Sequence, residues 1–167
     1  MKKILILLVL VVFSGCNDGD FDVPAFEFSQ TVSTCGDVIL YVTNSSKTEV
    51  LALTMNPVHF TSKVGEAEIA LGETASTTVI KATYRIFNTG IGTDYFCQSI
   101  PPTSPKVVKE LIAEGGKALI TTIAVKNDSD VVTGYTYTIS FTDLFFLDGT
   151  ERVYFQTFKF GSISATI

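Results

Sequence analysis

A histidine beside a nucleophile, two acids at the right separation, or a knot of metal ligands would each announce a reaction, and this chain offers scattered raw material for them. Its one histidine is His59, so a Ser-His-Asp arrangement would have to use it, and no Gly-x-Ser-x-Gly elbow accompanies it. Asn56-Pro57-Val58-His59-Phe60 reads as a loop entering a strand, which makes His59 a surface or locally bonded side chain. Carboxylate-only catalysis of the glycosidase kind needs just two acids. Glu66, Glu68, Glu73, Asp94 and Asp143 are available, but nothing in their spacing pairs them. Most read as solvated turn or strand-edge charges, and Asp143 stands out by following a polar strand face beside Leu144-Phe145-Phe146-Leu147. Asp18, Asp20 and Asp22 alternate as the first three ligands of an EF-hand do, yet the sixth position is Val23 instead of glycine and the twelfth is Ser29 instead of a bidentate glutamate. Calcium is therefore the second reading of that segment. Glycan stacking is poorly provided for: there are thirteen Phe and six Tyr but no Trp, and Tyr135 and Tyr137 fall on a packing face. Gly90-Ile91-Gly92-Thr93-Asp94 lacks the third glycine of a dinucleotide fingerprint and reads as a turn. No cofactor is implied.

The start of the chain is more specific. Met1-Lys2-Lys3 is a short positive region, and Ile4 to Phe13 is an unbroken apolar run. Ten residues rise only about 15 Å as a helix, half the hydrocarbon core, so the run has the length of a signal peptide and not of a membrane span. Phe13-Ser14-Gly15-Cys16 resembles the bacterial lipobox, with Phe13 where leucine is preferred. The resemblance implies cleavage between Gly15 and Cys16, diacylglycerol on the Cys16 thiol and an acyl chain on the new amine. Two or three such chains, at about 0.8 kcal/mol per buried CH₂, anchor durably where one does not. The following Asn17-Asp18-Gly19-Asp20-Phe21-Asp22-Val23-Pro24 resembles the acidic export signal of Bacteroidota-type surface lipoproteins, with Asp18, Asp20 and Asp22 as its acids. That resemblance spans about 22 residues, and it implies an outer-membrane protein displayed on the cell surface, a periplasm-facing anchor being the alternative. With Cys16 lipidated, Cys35 and Cys97 remain as an even pair in an oxidising compartment, and a disulfide between them is expected. Neither lies in a CxxC motif, so redox catalysis has little support, and one histidine with two bridged cysteines cannot build a zinc site.

The elements that must position these residues are mostly strands. Tyr135, Tyr137, Ile139 and Phe141 alternate with hydroxyl-bearing residues, and Ile80, Ala82, Tyr84 and Ile86 alternate with Lys81, Thr83 and Arg85. Further strands are expected at 26–33, 38–43, 49–55, 118–125 and 152–160. Asn44-Ser45-Ser46-Lys47 and Asn127-Asp128-Ser129-Asp130 read as turns, and Asp148-Gly149 is a pair suited to a tight hairpin joining 135–147 to 150–160. One segment departs from this period. Ser104 can cap a helix, Pro105 suits its first position, Val107, Val108, Leu111 and Ile112 fall at helical spacing, and Gly115-Gly116 would stop it. A short helix near 105–114, packed over the sheets, is predicted.

The sum is an all-β chain, an antiparallel β-sandwich of the Ig-like or a related kind, with residues 1–15 as signal, 16–25 as lipidated tether and 26–167 as one domain. Removal of the signal leaves 152 residues, enough to bury about 70% of the unfolded surface. It also removes Lys2 and Lys3, leaving 10 basic and 17 acidic residues, net −7. No basic cluster survives to bind nucleic acid. The expected role is a non-enzymatic binding, adhesion or assembly module, joined to the membrane by its lipid and open to a protein or glycan partner. A carboxylate hydrolase and a calcium-dependent adhesin are the competing readings.

Overall fold

Long runs of Val, Ile, Thr, Phe and Tyr, punctuated by Asn, Asp, Gly and Pro, favour extended backbone. In the computed structural model, which describes residues 27–29, 31–36, 38–100 and 102–167, they build eight strands. These are β1 (Ser33–Cys35), β2 (Ile39–Thr43), β3 (Glu49–Thr54), β4 (Gly65–Leu71), β5 (Val79–Phe87), β6 (Val107–Lys126), β7 (Val132–Asp148) and β8 (Glu151–Thr166). The lipobox with Gly15 and Cys16, and the acidic segment with Asp18, Asp20 and Asp22, lie outside the described residues. No helix among the described residues is long and apolar enough to cross a membrane.

The strands form one mixed sheet in the order β1-β2-β3-β5-β4-β6-β7-β8, with β5 also paired to β6. All neighbours are antiparallel except β4 and β5, which run parallel over Ala70–Leu71 and Val79–Ile80. The two-layered character comes from β6. Its first part pairs with β5 through Tyr84↔Leu111 and Thr83↔Ile112. Its second part pairs with β4 and β7, as in Glu68↔Leu119 and Ile120↔Ile139. The single sheet thereby folds over on itself, and β4 wedges into the fork where β5 and β6 part.

The predicted helix is corrected to the first part of this strand. Leu111 and Ala113 point into the core while Val108, Glu110 and Ile112 point away, a period of two that the same apolar residues satisfy as well as a helical one. Pairing with β5 decides between them, because β-branched Val107, Val108 and Ile112 gain a ladder there. Gly115-Gly116 bends the strand instead of ending a helix. The ladder to β7 shifts register on both sides of Gly115. A Cβ on Gly115 would come within 2.6 Å of the Phe145 ring, and Gly116 has φ +111° with the Asp143 backbone where its Cβ would be. Only glycines let β7 cover the bend so closely.

The core lies between the folded-over halves. Leu40, Leu51, Leu53, Ala82 and Tyr84 of one half meet Ile120, Ile139, Phe141, Phe146 and Phe160 of the other. A second, smaller cluster sits on the outer face of β2, β3 and β5, where Tyr41, Val50 and Phe87 are covered by Ile91 and Tyr95 from the connection after β5. Covered on both faces, β2 and β3 have little use for polar alternation, which explains their near-continuous apolar sequences.

Strand register defines two ends. The turn at 44–48, the end of β5, the start of β6 and the β7–β8 turn share one end, where Lys109 pairs with Asp148. The β1–β2 turn, the connection from β3 to β4, the 127–131 turn and Ile167 share the other. The described chain begins at the first end, where the Phe28 ring sits 6.3 Å from Tyr84 and 6.2 Å from Phe158, and Ser29 N–H donates to the Thr43 carbonyl.

Candidate functional site

Sheet topology places an open, apolar hollow at a seam. β1 and β8 are the two terminal strands, and folding over brings their edges side by side. Thr31, just ahead of β1, makes a single parallel bridge to Ser162 of β8. Beyond it a cavity of about 330 Å³ lies between the edges, at the end away from Phe28. Thr34 and Gly36 form one wall, Ile163, Ser164 and Ala165 the other, and Leu40, Pro57, Phe60 and Tyr137 the floor. Phe60 meets Tyr137 edge-on at 5.2 Å. Burial, with the Tyr135 phenol nearby, raises the Tyr137 pKa above its ordinary value.

His59 holds one margin of that floor. Its buried ring accepts from Asn56 N–H at Nδ1 (3.2 Å) and donates from Nε2 to the Thr77 carbonyl (3.1 Å). Asn56 in turn caps the short turn Pro57–His59 through its side chain. The histidine is locally bonded, as the sequence indicates, but buried, and it staples the β3–β4 connection that carries Phe60. Both ring nitrogens are engaged by backbone, so the geometry gives it no nucleophile to activate.

Cys35 and Cys97 come together as expected, at disulfide distance with Cα atoms 4.9 Å apart. The pair pins the connection after β5 against β1. That connection is held further by Tyr41 Oη donating to the Thr93 carbonyl (2.6 Å) and by Ile91 N–H donating to the Lys47 carbonyl (3.0 Å). A smaller hollow of about 190 Å³ lies beside it, lined by Ser29, Thr31, Ser33, Thr43, Lys47 and Thr93 among others.

Glu68 and Asp143 both act on Lys117, raising its pKa. Glu66 is two residues from Glu68 on β4, so these three candidate acids share one exposed region around a lysine, while Asp94 and Glu73 lie elsewhere in the chain. Glu68 pairs with Lys117 (2.9 Å), and Glu66 lies at the hydroxyl of Thr121, both on the open outer face of β4. Asp94 accepts from the Gln98 amide, while Glu73 lies in the turn after β4. Asp143, in the left-handed region at φ +54°, accepts the Tyr154 hydroxyl. That hydrogen bond, ahead of partial burial, raises the Tyr154 pKa. Arg152 lies 4.3 Å from the Phe145 ring and 4.9 Å from the Tyr154 ring, completing a surface cluster. No group of three His, Cys, Asp or Glu that could hold a metal occurs among the described residues.

Sequence reasoning missed the seam. Tyr137 reads correctly as a packing residue, and the Gly161–Ile167 tail, uncharged throughout, lies past the last expected strand end. The signal that could have found it is Ile163 and Ala165 alternating with Ser162 and Ser164. Comparison with known proteins finds no matching family model, no matching curated protein and no matching solved structure.

Proposed function

We propose that the protein is a bacterial lipoprotein, acylated at Cys16 and held at the outer membrane facing the cell exterior, whose β domain is a non-enzymatic module for a protein or glycan partner. The observation that carries this reading is the opposition of entrance and cavity. The described chain begins at the end plugged by Phe28, and the cavity between β1 and β8 lies at the other. Residues 17–26 span at most about 35 Å when extended, so a lipid on Cys16 would keep the Phe28 end toward the membrane and turn the cavity outward. The lipobox-like Phe13-Ser14-Gly15-Cys16 and the acids Asp18, Asp20 and Asp22 supply the sequence support. The pairing of Glu68 with Lys117 and of Asp143 with the Tyr154 hydroxyl, on exposed surface, favours binding over hydrolysis.

Membrane fractionation tests it. The native chain should fractionate with the outer membrane and take up labelled palmitate, whereas Cys16→Ala should take up none and keep its signal peptide. Palmitate uptake by Cys16→Ala equal to that of the native chain, or no uptake by either, would refute the anchor.

A further inference from the structure

We infer that the gap between β1 and β8 receives an extended peptide segment of another protein, which enters as a strand between the two edges and seats an uncharged apolar side chain in the cavity behind it. The inference rests on reading the domain as a binding module and names the chemistry of its ligand.

Backbone carries the first part of the argument. Among the described residues β1 has a ladder partner only in β2, and β8 only in β7, apart from the single Thr31–Ser162 bridge. Each strand therefore turns a row of N–H and C=O groups toward the gap. Such groups have to be satisfied once water is displaced. A lipid chain or a small apolar molecule filling the cavity would cover them without bonding them. A peptide backbone bonds both rows at once, and the Thr31–Ser162 bridge shows the alignment from which the ladder would continue.

Edge protection carries the second. Exposed edges are usually guarded by charged residues, proline or a bulge. The first part of β8 has Glu151, Arg152 and Lys159, and a register shift separates it from Gly161 onward. Past that shift Ser162, Ile163, Ser164, Ala165 and Thr166 carry no charge and no proline, nor do Ser33, Thr34 and Cys35 opposite. Val153–Phe158 is also uncharged, but only the 162–166 run faces a second strand edge across a cavity.

The cavity specifies the side chain. At about 330 Å³ it stands at the small end of ligand pockets, room for one or two side chains. None of its lining residues is charged, so a charged side chain would be desolvated there with nothing to pair it. Backbone pairing for affinity and one pocket for selectivity together make the strand-addition mode of recognition.

The test uses the full chain in detergent and a library of blocked hexapeptides that alternate threonine with Val, Ile, Leu or Phe, read by fluorescence polarisation and amide hydrogen exchange. The best binders should slow exchange at 33–35 and 163–166. N-methylation of alternate peptide amides should weaken them by about tenfold or more, the loss of one or two hydrogen bonds. Ala165→Trp, which fills the cavity from an exposed position, should weaken the unmodified peptide similarly. The inference is overturned if no library member binds at millimolar concentration, if N-methylated peptides bind as well as their parents, or if 33–35 and 163–166 are already protected by self-association. Loss of membrane anchoring in Cys16→Ala leaves this titration unchanged, so the two readings fail separately.

Discussion

Gly116 and Tyr84 show how single residues hold the folded-over sheet. At φ +111°, with backbone of Asp143 and Leu144 within 3 Å of where a Cβ would sit, Gly116 has neither the conformation nor the space for a side chain. Gly116→Ala should cost about 1–3 kcal/mol in urea unfolding. Gly149→Asn, at φ +64° with open space around it, should cost little, since asparagine tolerates the left-handed region. Tyr84 is buried, and its hydroxyl donates to Glu49 Oε2 at 2.8 Å. Burial first, then that hydrogen bond and the Glu49 charge, raise its pKa well above the ordinary value of 10.0. A raised folded-state pKa contributes stability that is complete below the unfolded value and is lost as pH rises toward the folded one. Denaturation midpoints should therefore fall once pH exceeds about 10. Tyr84→Phe should be less stable at neutral pH, and its midpoint should fall less steeply above that point.

At the scale of elements, the Cys35–Cys97 pair and the bend in β6 do different work. The pair is 62 residues apart in sequence and ties the connection after β5 to β1. In the chain-entropy model a closed loop of that size is worth about 4 kcal/mol. Reduction, or Cys35→Ser with Cys97→Ser, should lower the unfolding free energy by that order, read by denaturation with and without reductant. The strands that alternate cleanly were legible in the sequence: 80–86 lies within β5, and 135–147 with the Asp148-Gly149 turn forms the β7–β8 hairpin. What was not legible follows from pairing across distance. Val107, Val108, Leu111 and Ile112 fit either period, and the ladder to β5, more than 20 residues back, chooses the strand. β4 escapes the pattern because Glu66 and Glu68 leave it only Ile69 and Leu71 as large apolar residues, and it exists by filling the fork between β5 and β6. The expected strand at 26–33 is replaced by the Phe28 plug, the Thr31 bridge and a β1 that begins at Ser33. A seam between first and last strands cannot be read from either strand alone.

For the whole molecule, polarity is the organising feature. Phe28 closes one end of the core, His59 and Phe60 frame the other, and the cavity lies at that second end with only uncharged residues around it. An acyl group on Cys16 turns this internal polarity into an orientation relative to a membrane, and without that group the two ends are equivalent with respect to the envelope. The mass of the mature N-terminal peptide, recovered from membranes, tests this most directly. The expected product is a chain beginning at Cys16 and carrying diacylglycerol with an added acyl chain on its amine. A chain that still begins at Met1, or an unmodified Cys16 on a freely soluble product, would contradict it.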